Sequence, residues 1–199
     1  LAFYNQGAKL PNVIVGNINN SIDSVLLPVM SNEQDDVSRV REMTKRAIST
    51  SVYIMAPLMI GLAVIAEDLV SLILTDKWLP CVFFLRIFCI AYMFEPIHTA
   101  NLNAIKALGR SDLFLKLEIW KKIVGMTLLA STIWISVEAM AYSYLLACVL
   151  AQIINSWPNK KLLHYSYLEQ LKDIFPAILL ALFMGACIYP ITHINLNRI

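Results

Sequence analysis

Three stretches of this chain, 48–66, 139–157 and 174–192, each run for 19 residues without one Asp, Glu, Lys or Arg. A helix rises 1.5 Å per residue, so about 20 apolar residues cross the roughly 30 Å hydrocarbon core of a bilayer. Within that core every backbone N–H and C=O must be paired inside the segment, which leaves helices as the form these runs take. Three further stretches, 12–30, 81–105 and 117–137, have the right length with scattered polar residues. The expected architecture is therefore all-α: a polytopic membrane protein of about six transmembrane helices, read as one helical domain over 1–199 that is a fragment of something longer. With 58% apolar and 15% charged residues, little is left for a soluble domain.

Charge position orients the spans. Arg39, Arg41, Lys45 and Arg46 lie between the first two, Lys106, Arg110, Lys116, Lys121 and Lys122 around the join of the third and fourth, and Lys160, Lys161 and Lys172 between the last two. Only Lys9, Lys77 and Arg198 fall on the other side, with Arg86 inside a span. Basic residues in short loops stay in the cytoplasm, so the three basic loops are cytoplasmic and both ends of the chain lie outside. The net charge of +2 and the absence of a basic run interleaved with aromatics argue against a nucleic-acid partner. Cys81, Cys89, Cys148 and Cys187 form no CxxC and lie in or beside spans, as small packing residues do. No phosphate loop, HExxH or GxSxG is present; no enzyme, cofactor or metal is expected.

Two spans are imperfectly apolar. In the first, Asn12, Gly16, Asn19/Asn20 and Asp23/Ser24 share a helical stripe, with Asn17 beside it. A carboxylate deep in a span costs several kcal/mol if it meets lipid, so Asp23 faces either an aqueous cavity or an interhelical hydrogen-bond cluster. In the third, Glu95, Thr99, Asn103 and Lys106 lie near one face, with His98 and Asn101 adjoining. The candidate cavity-lining residues are Asn17, Asn20, Asp23, Glu95, His98, Asn101 and Asn103. Glu95 and His98, three apart, are placed to bond one another, or both snorkel at the cytoplasmic interface. The loop regions 32–45 and 159–173 read as amphipathic pieces, the second lying at the interface. Small residues at Ala139, Ser143, Ala147 and Ala151, and at Ala177, Ala181 and Gly185, form flat stripes that let helix backbones approach. Pro57 and Pro96 fall inside spans, where proline tends to kink a helix.

The order of several short motifs carries a family resemblance. Phe3-Tyr4-Asn5-Gln6-Gly7-Ala8-Lys9-Leu10-Pro11, then Val25-Leu26-Leu27-Pro28-Val29-Met30-Ser31 and Gln34-Asp35-Asp36, then Asp76-Lys77-Trp78 and Ala107-Leu108-Gly109-Arg110-Ser111-Asp112, resemble the carboxy-terminal half of a polysaccharide transporter. The branch is the O-antigen or lipopolysaccharide flippases of the multidrug/oligosaccharidyl-lipid/polysaccharide exporter superfamily. The resemblance implies one lobe of a two-lobed flippase, lacking its amino-terminal lobe, in a bacterial inner membrane. It implies as cargo an undecaprenyl-pyrophosphate-linked oligosaccharide for lipopolysaccharide, O-antigen or exopolysaccharide synthesis, with membrane lipids, a polysaccharide polymerase or glycosyltransferases as further partners. A pyrophosphate suits cations, and Arg86, Lys106 and Arg110 are the pyrophosphate-binding candidates. A cation-coupled small-molecule exporter of the same superfamily, motivated by Asp23 and Glu95, and a non-transporting membrane scaffold are the alternatives.

Overall fold

A computed structural model describes residues 1–193, with side chains to Pro190; Arg198 lies outside them. Eight α-helices follow one another: α1 (Ala2–Asn32), α2 (Val37–Val64), α3 (Ala66–Leu74), α4 (Cys81–Met93), α5 (Glu95–Ala107), α6 (Ser111–Thr132), α7 (Val137–Leu162) and α8 (Tyr167–His193), with a short 3₁₀ turn at Asp76–Trp78. The protein is an all-α polytopic membrane protein. Among the described residues five segments are long and apolar enough to cross: α1, α2, α4 with α5 as one stretch, α7 and α8. The helix α6 is long enough at 22 residues, but Lys116, Glu118, Lys121 and Lys122 load its first half with charge.

The third expected span is two helices. The chain breaks at Phe94, and Pro96 sits in the first turn of α5, where its missing N–H has no partner to lose. Proline here starts a new helix rather than bending an old one. Pro57, by contrast, lies inside an uninterrupted α2. The fourth span also ends early: α6 stops at Thr132, and Ser136 begins α7 by accepting a bond from the Ala139 N–H with its side chain. Gly109, at φ +70, closes the turn after α5 in a conformation that side chains disfavour.

The α4–α5 pair is the most enclosed crossing segment and forms the centre of the bundle. Along its length α1 packs in parallel, from Gly7 beside Cys81–Leu85 at one end to Asp23 bonded to Asn103 at the other. A Cβ on Gly7 would lie 2.8 Å from Cys81 O and from Leu85 N, so only glycine allows this approach. The helix therefore runs beside α4 from well before Asn12. Tyr4, Phe84, Phe88 and Tyr144 join α1, α4 and α7 through edge-on ring contacts of 5.1 to 5.7 Å between centroids.

The small stripe of α8 finds its partner in α2. Ala181 is fully buried, and a Cβ on Gly185 would lie 2.6 Å from Ile60 Cγ2. At the end bearing the basic loops the same two helices are joined by Lys45–Asp173 at 3.1 Å and Arg41–Glu169 at 3.6 Å. Asp36 caps α2, accepting from the Ser38 hydroxyl and from the Ser38 and Arg39 N–H groups, and these bonds, the hydroxyl's first, hold its carboxyl below the usual range. The segment 159–173 is not a separate amphipathic helix: α7 reaches Leu162, a short turn buries Leu163 and Tyr165, and α8 starts at Tyr167.

Candidate functional site

Along α1 the polar stripe is left uncovered. Asn12, Asn17, Asn20, Ser21 and Ser24 are exposed, while Pro11, Val15 and Met30 turn inward. A helix face with exposed Asn and Ser along the 13 residues from Asn12 to Ser24 is poorly solvated by hydrocarbon; it calls for water or protein. Asp23, also on the open side, accepts from Asn103 Nδ2 at 2.7 Å. This bond joins the two polar spans directly, and Asn103 is itself buried.

The other candidates on α5 divide into two sets. His98 is half-buried between α6 and α7: Lys121 Nζ lies 3.1 Å from its Nε2, and the Asn155 amide packs against its Nδ1. Lys121 also pairs with Glu118, and its side chain is only 10% exposed. Glu95 stands in the electrostatic field of both Lys121 and Glu118. His98 thus takes Lys121 and Asn155 as partners in place of Glu95. An ammonium only donates, so Nε2 accepts and the ring proton of the neutral form sits on Nδ1. Asn155 Oδ1 is buried without a partner; turning the amide through 180° brings it to that proton and satisfies both groups.

Asn101 does not line an open space. Fully buried, it donates to Gln170 Oε1 at 2.9 Å and accepts from Asn159 Nδ2 at 2.7 Å, and Ser156 completes the network across α5, α7 and α8. This is the interhelical cluster that buried amides form in a bundle.

Nor do the three candidate cations meet. Arg86 bonds Glu67 at 3.0 Å and Ala63 O at 3.1 Å at the outer end of α4. Lys106 lies over the Phe114 ring, 4.7 Å from its centroid, and Arg110 pairs with Asp112 at 3.1 Å. Twenty residues separate Arg86 from Lys106, about 30 Å of helix, so one pyrophosphate cannot bridge them. Among the described residues the most enclosed cation is Lys121, which charge counting groups with the basic residues around the join of the third and fourth spans. The signal that could have found it is its place seven residues past Phe114 and one helix turn past Leu117, on the side of α6 that turns inward.

Comparison with known proteins follows these lines. Residues 1–83 match the family described as polysaccharide biosynthesis protein. An uncharacterized membrane protein in the cps region of Klebsiella pneumoniae is 31% identical over 136 residues, 68% of this chain and 27% of its own length. The teichuronic acid biosynthesis protein TuaB of Bacillus subtilis is 22% identical over 93% of this chain and 38% of its own. The lipopolysaccharide biosynthesis protein WzxC of Escherichia coli is 24% identical over 77% of this chain and 30% of its own. The chain thus spans about a third of the length of these curated relatives. No solved structure matches.

Proposed function

For a chain that matches the polysaccharide biosynthesis protein family over residues 1–83 and aligns along most of its length with a membrane protein of a cps region and with teichuronic acid and lipopolysaccharide biosynthesis proteins, we propose a part in flipping a lipid-linked oligosaccharide. In this reading the helices form one lobe of the transporter in a bacterial inner membrane, and the open polar face of α1 lines the route. The cargo is an undecaprenyl-pyrophosphate-linked repeat unit on its way to a surface polysaccharide. The observation that carries the reading is the uncovered amide stripe of α1, tied to the central α4–α5 segment through Asp23 and Asn103. Hydroxyl-rich sugars are well matched by rows of Asn and Ser, which both donate and accept.

The cluster of Glu95, His98, Glu118 and Lys121 supplies the ion-coupling element of this mechanism. Its charges lie between three helices that must shift if the lobe rocks, and a proton on His98 Nε2 would take away the acceptor that Lys121 uses.

Complementation tests the proposal. The full-length protein should restore surface polysaccharide to a strain that lacks its flippase and makes a matched glycan, and Asn17→Leu with Asn20→Leu should abolish that rescue at unchanged membrane abundance. Stable insertion without rescue on the matched glycan would contradict it. A cation-coupled drug exporter would instead show efflux of small cations that Asp23→Asn removes.

A further inference from the structure

A groove of about 350 Å³ runs between α6 and α7, lined by Leu117, Trp120, Ile154, Trp157 and Pro158. It continues into a second hollow of about 330 Å³ that shares Trp157 and Pro158 and ends at Arg110 and Lys161. From Arg110 to Trp120 is ten residues, about 15 Å of helix, so the groove extends about that far from a cationic mouth. Trp157, 70% exposed and one helical turn from Lys161, stands near the mouth, where an indole favours the meeting of hydrocarbon and head groups, and Trp120, 62% exposed, lies farther along the groove. The mouth lies at the end with the basic loops, the cytoplasmic side, and Lys160 stands exposed beside it. The polar stripe of α1 belongs to a different surface, since α1 packs on α2, α4 and α5.

We infer that this groove is a docking site for an anionic phospholipid of the cytoplasmic leaflet, one chain lying between Trp120 and Trp157 and the phosphate resting on Arg110 and Lys161. Charge complementarity selects the occupant. An apolar trough alone would take any bilayer lipid, but two basic side chains at its only polar end favour a negative head group. Arg110 is shared with Asp112, 3.1 Å away, and Lys161 has the mouth to itself among the described residues. A basic residue at an anionic surface favours the anionic lipid by about fivefold (~1 kcal/mol), and two would give about 25-fold. With Asp112 discounting one of them, the expected preference is about five- to tenfold.

The full chain carrying Trp78→Phe and Trp134→Phe keeps only the groove tryptophans and is placed in single-copy nanodiscs. Phosphatidylglycerol with brominated chains, diluted in phosphatidylcholine, is compared with brominated phosphatidylcholine diluted in phosphatidylglycerol as a quencher of tryptophan fluorescence. Brominated phosphatidylglycerol should reach half-maximal quenching at a five- to tenfold lower mole fraction, and Arg110→Gln with Lys161→Gln, both at exposed positions, should bring the two lipids within twofold. Equal quenching by both lipids, or a preference that survives the double substitution, overturns the inference. Shielding from both lipids means that protein covers the groove and also overturns it. So does displacement of brominated phosphatidylglycerol by polyprenyl phosphate at one equivalent per protein, which would assign the groove to an isoprenoid carrier.

Discussion

Replacing Gly7 with alanine tests how α1 is held against the bundle centre. The new Cβ would lie 2.8 Å from Cys81 O, Leu85 N and Phe84 Cβ, where ordinary contacts begin at 3.4 Å, so the helices must part by more than half an ångström. Two of the three obstructing atoms are backbone and cannot rotate away. Overpacking of this kind costs about 1–3 kcal/mol, while alanine gains about 1 kcal/mol over glycine in helix propensity. The balance for Gly7→Ala is a loss of about 0–2 kcal/mol. Gly16 is the internal control: it lies on the same helix with nothing within 4 Å of its built Cβ, so Gly16→Ala keeps the propensity gain. The two variants should differ by the overpacking cost, about 1–3 kcal/mol, which for a chain of this size is about 2–12 °C in Tm. The assay is the temperature at which the purified protein loses its monodisperse elution peak in mild detergent. If Gly7→Ala is as stable as Gly16→Ala, α1 does not pack on α4 through this contact, and the placement of its polar face loses its support.

Two more expectations follow from the electrostatics. Lys121→Met leaves Glu118 without its enclosed partner and should cost about 1–3 kcal/mol, less than a fully buried pair because Glu118 is 31% exposed; the thermal-shift measurement should recover most of the loss in the Lys121→Met, Glu118→Gln double variant. Asp36 has its folded pKa depressed, first by the Ser38 hydroxyl and then by the Arg39 N–H, so it supports the start of α2 above the unfolded carboxylate pKa and loses that support as pH falls through the folded value. Protection of the Ser38 and Arg39 amides against hydrogen exchange should therefore drop on acidification below pH of about 4, and Asp36→Ala should flatten the profile.

Much of this was legible in the sequence because bilayer thickness and helix rise leave few alternatives for 19 uncharged residues. The helices α7 and α8 contain the stretches 139–157 and 174–192, α2 ends at Val64, two residues short of 66, and the two spans with polar faces are the two that Asp23 and Asn103 bring together. Boundaries were less readable where hydropathy does not distinguish helix from apolar turn: Ile133, Trp134 and Ile135 look like span yet form the turn before α7. Side-chain direction was the other gap. A stripe of Ala177, Ala181 and Gly185 signals close packing without naming α2 as the partner. Asn101 reads as wet on its own helix. Its burial follows from Gln170, Ser156 and Asn159, polar residues 55 or more positions away that only the fold brings to it. Lys121 counts with the basic residues around the join of the third and fourth spans until α6 is set beside His98.

The central claim is that the amide stripe of α1 meets water in the working protein. With Cys81, Cys89, Cys148 and Cys187 replaced by alanine, single cysteines at Asn17 and Asn20 should react in intact cells with a small membrane-impermeant thiol reagent. A cysteine at Leu179, exposed on the apolar face of α8, should stay unmodified. Labelling of Asn17→Cys and Asn20→Cys no faster than Leu179→Cys would contradict the account, because a polar face that no water reaches cannot line a route for sugars.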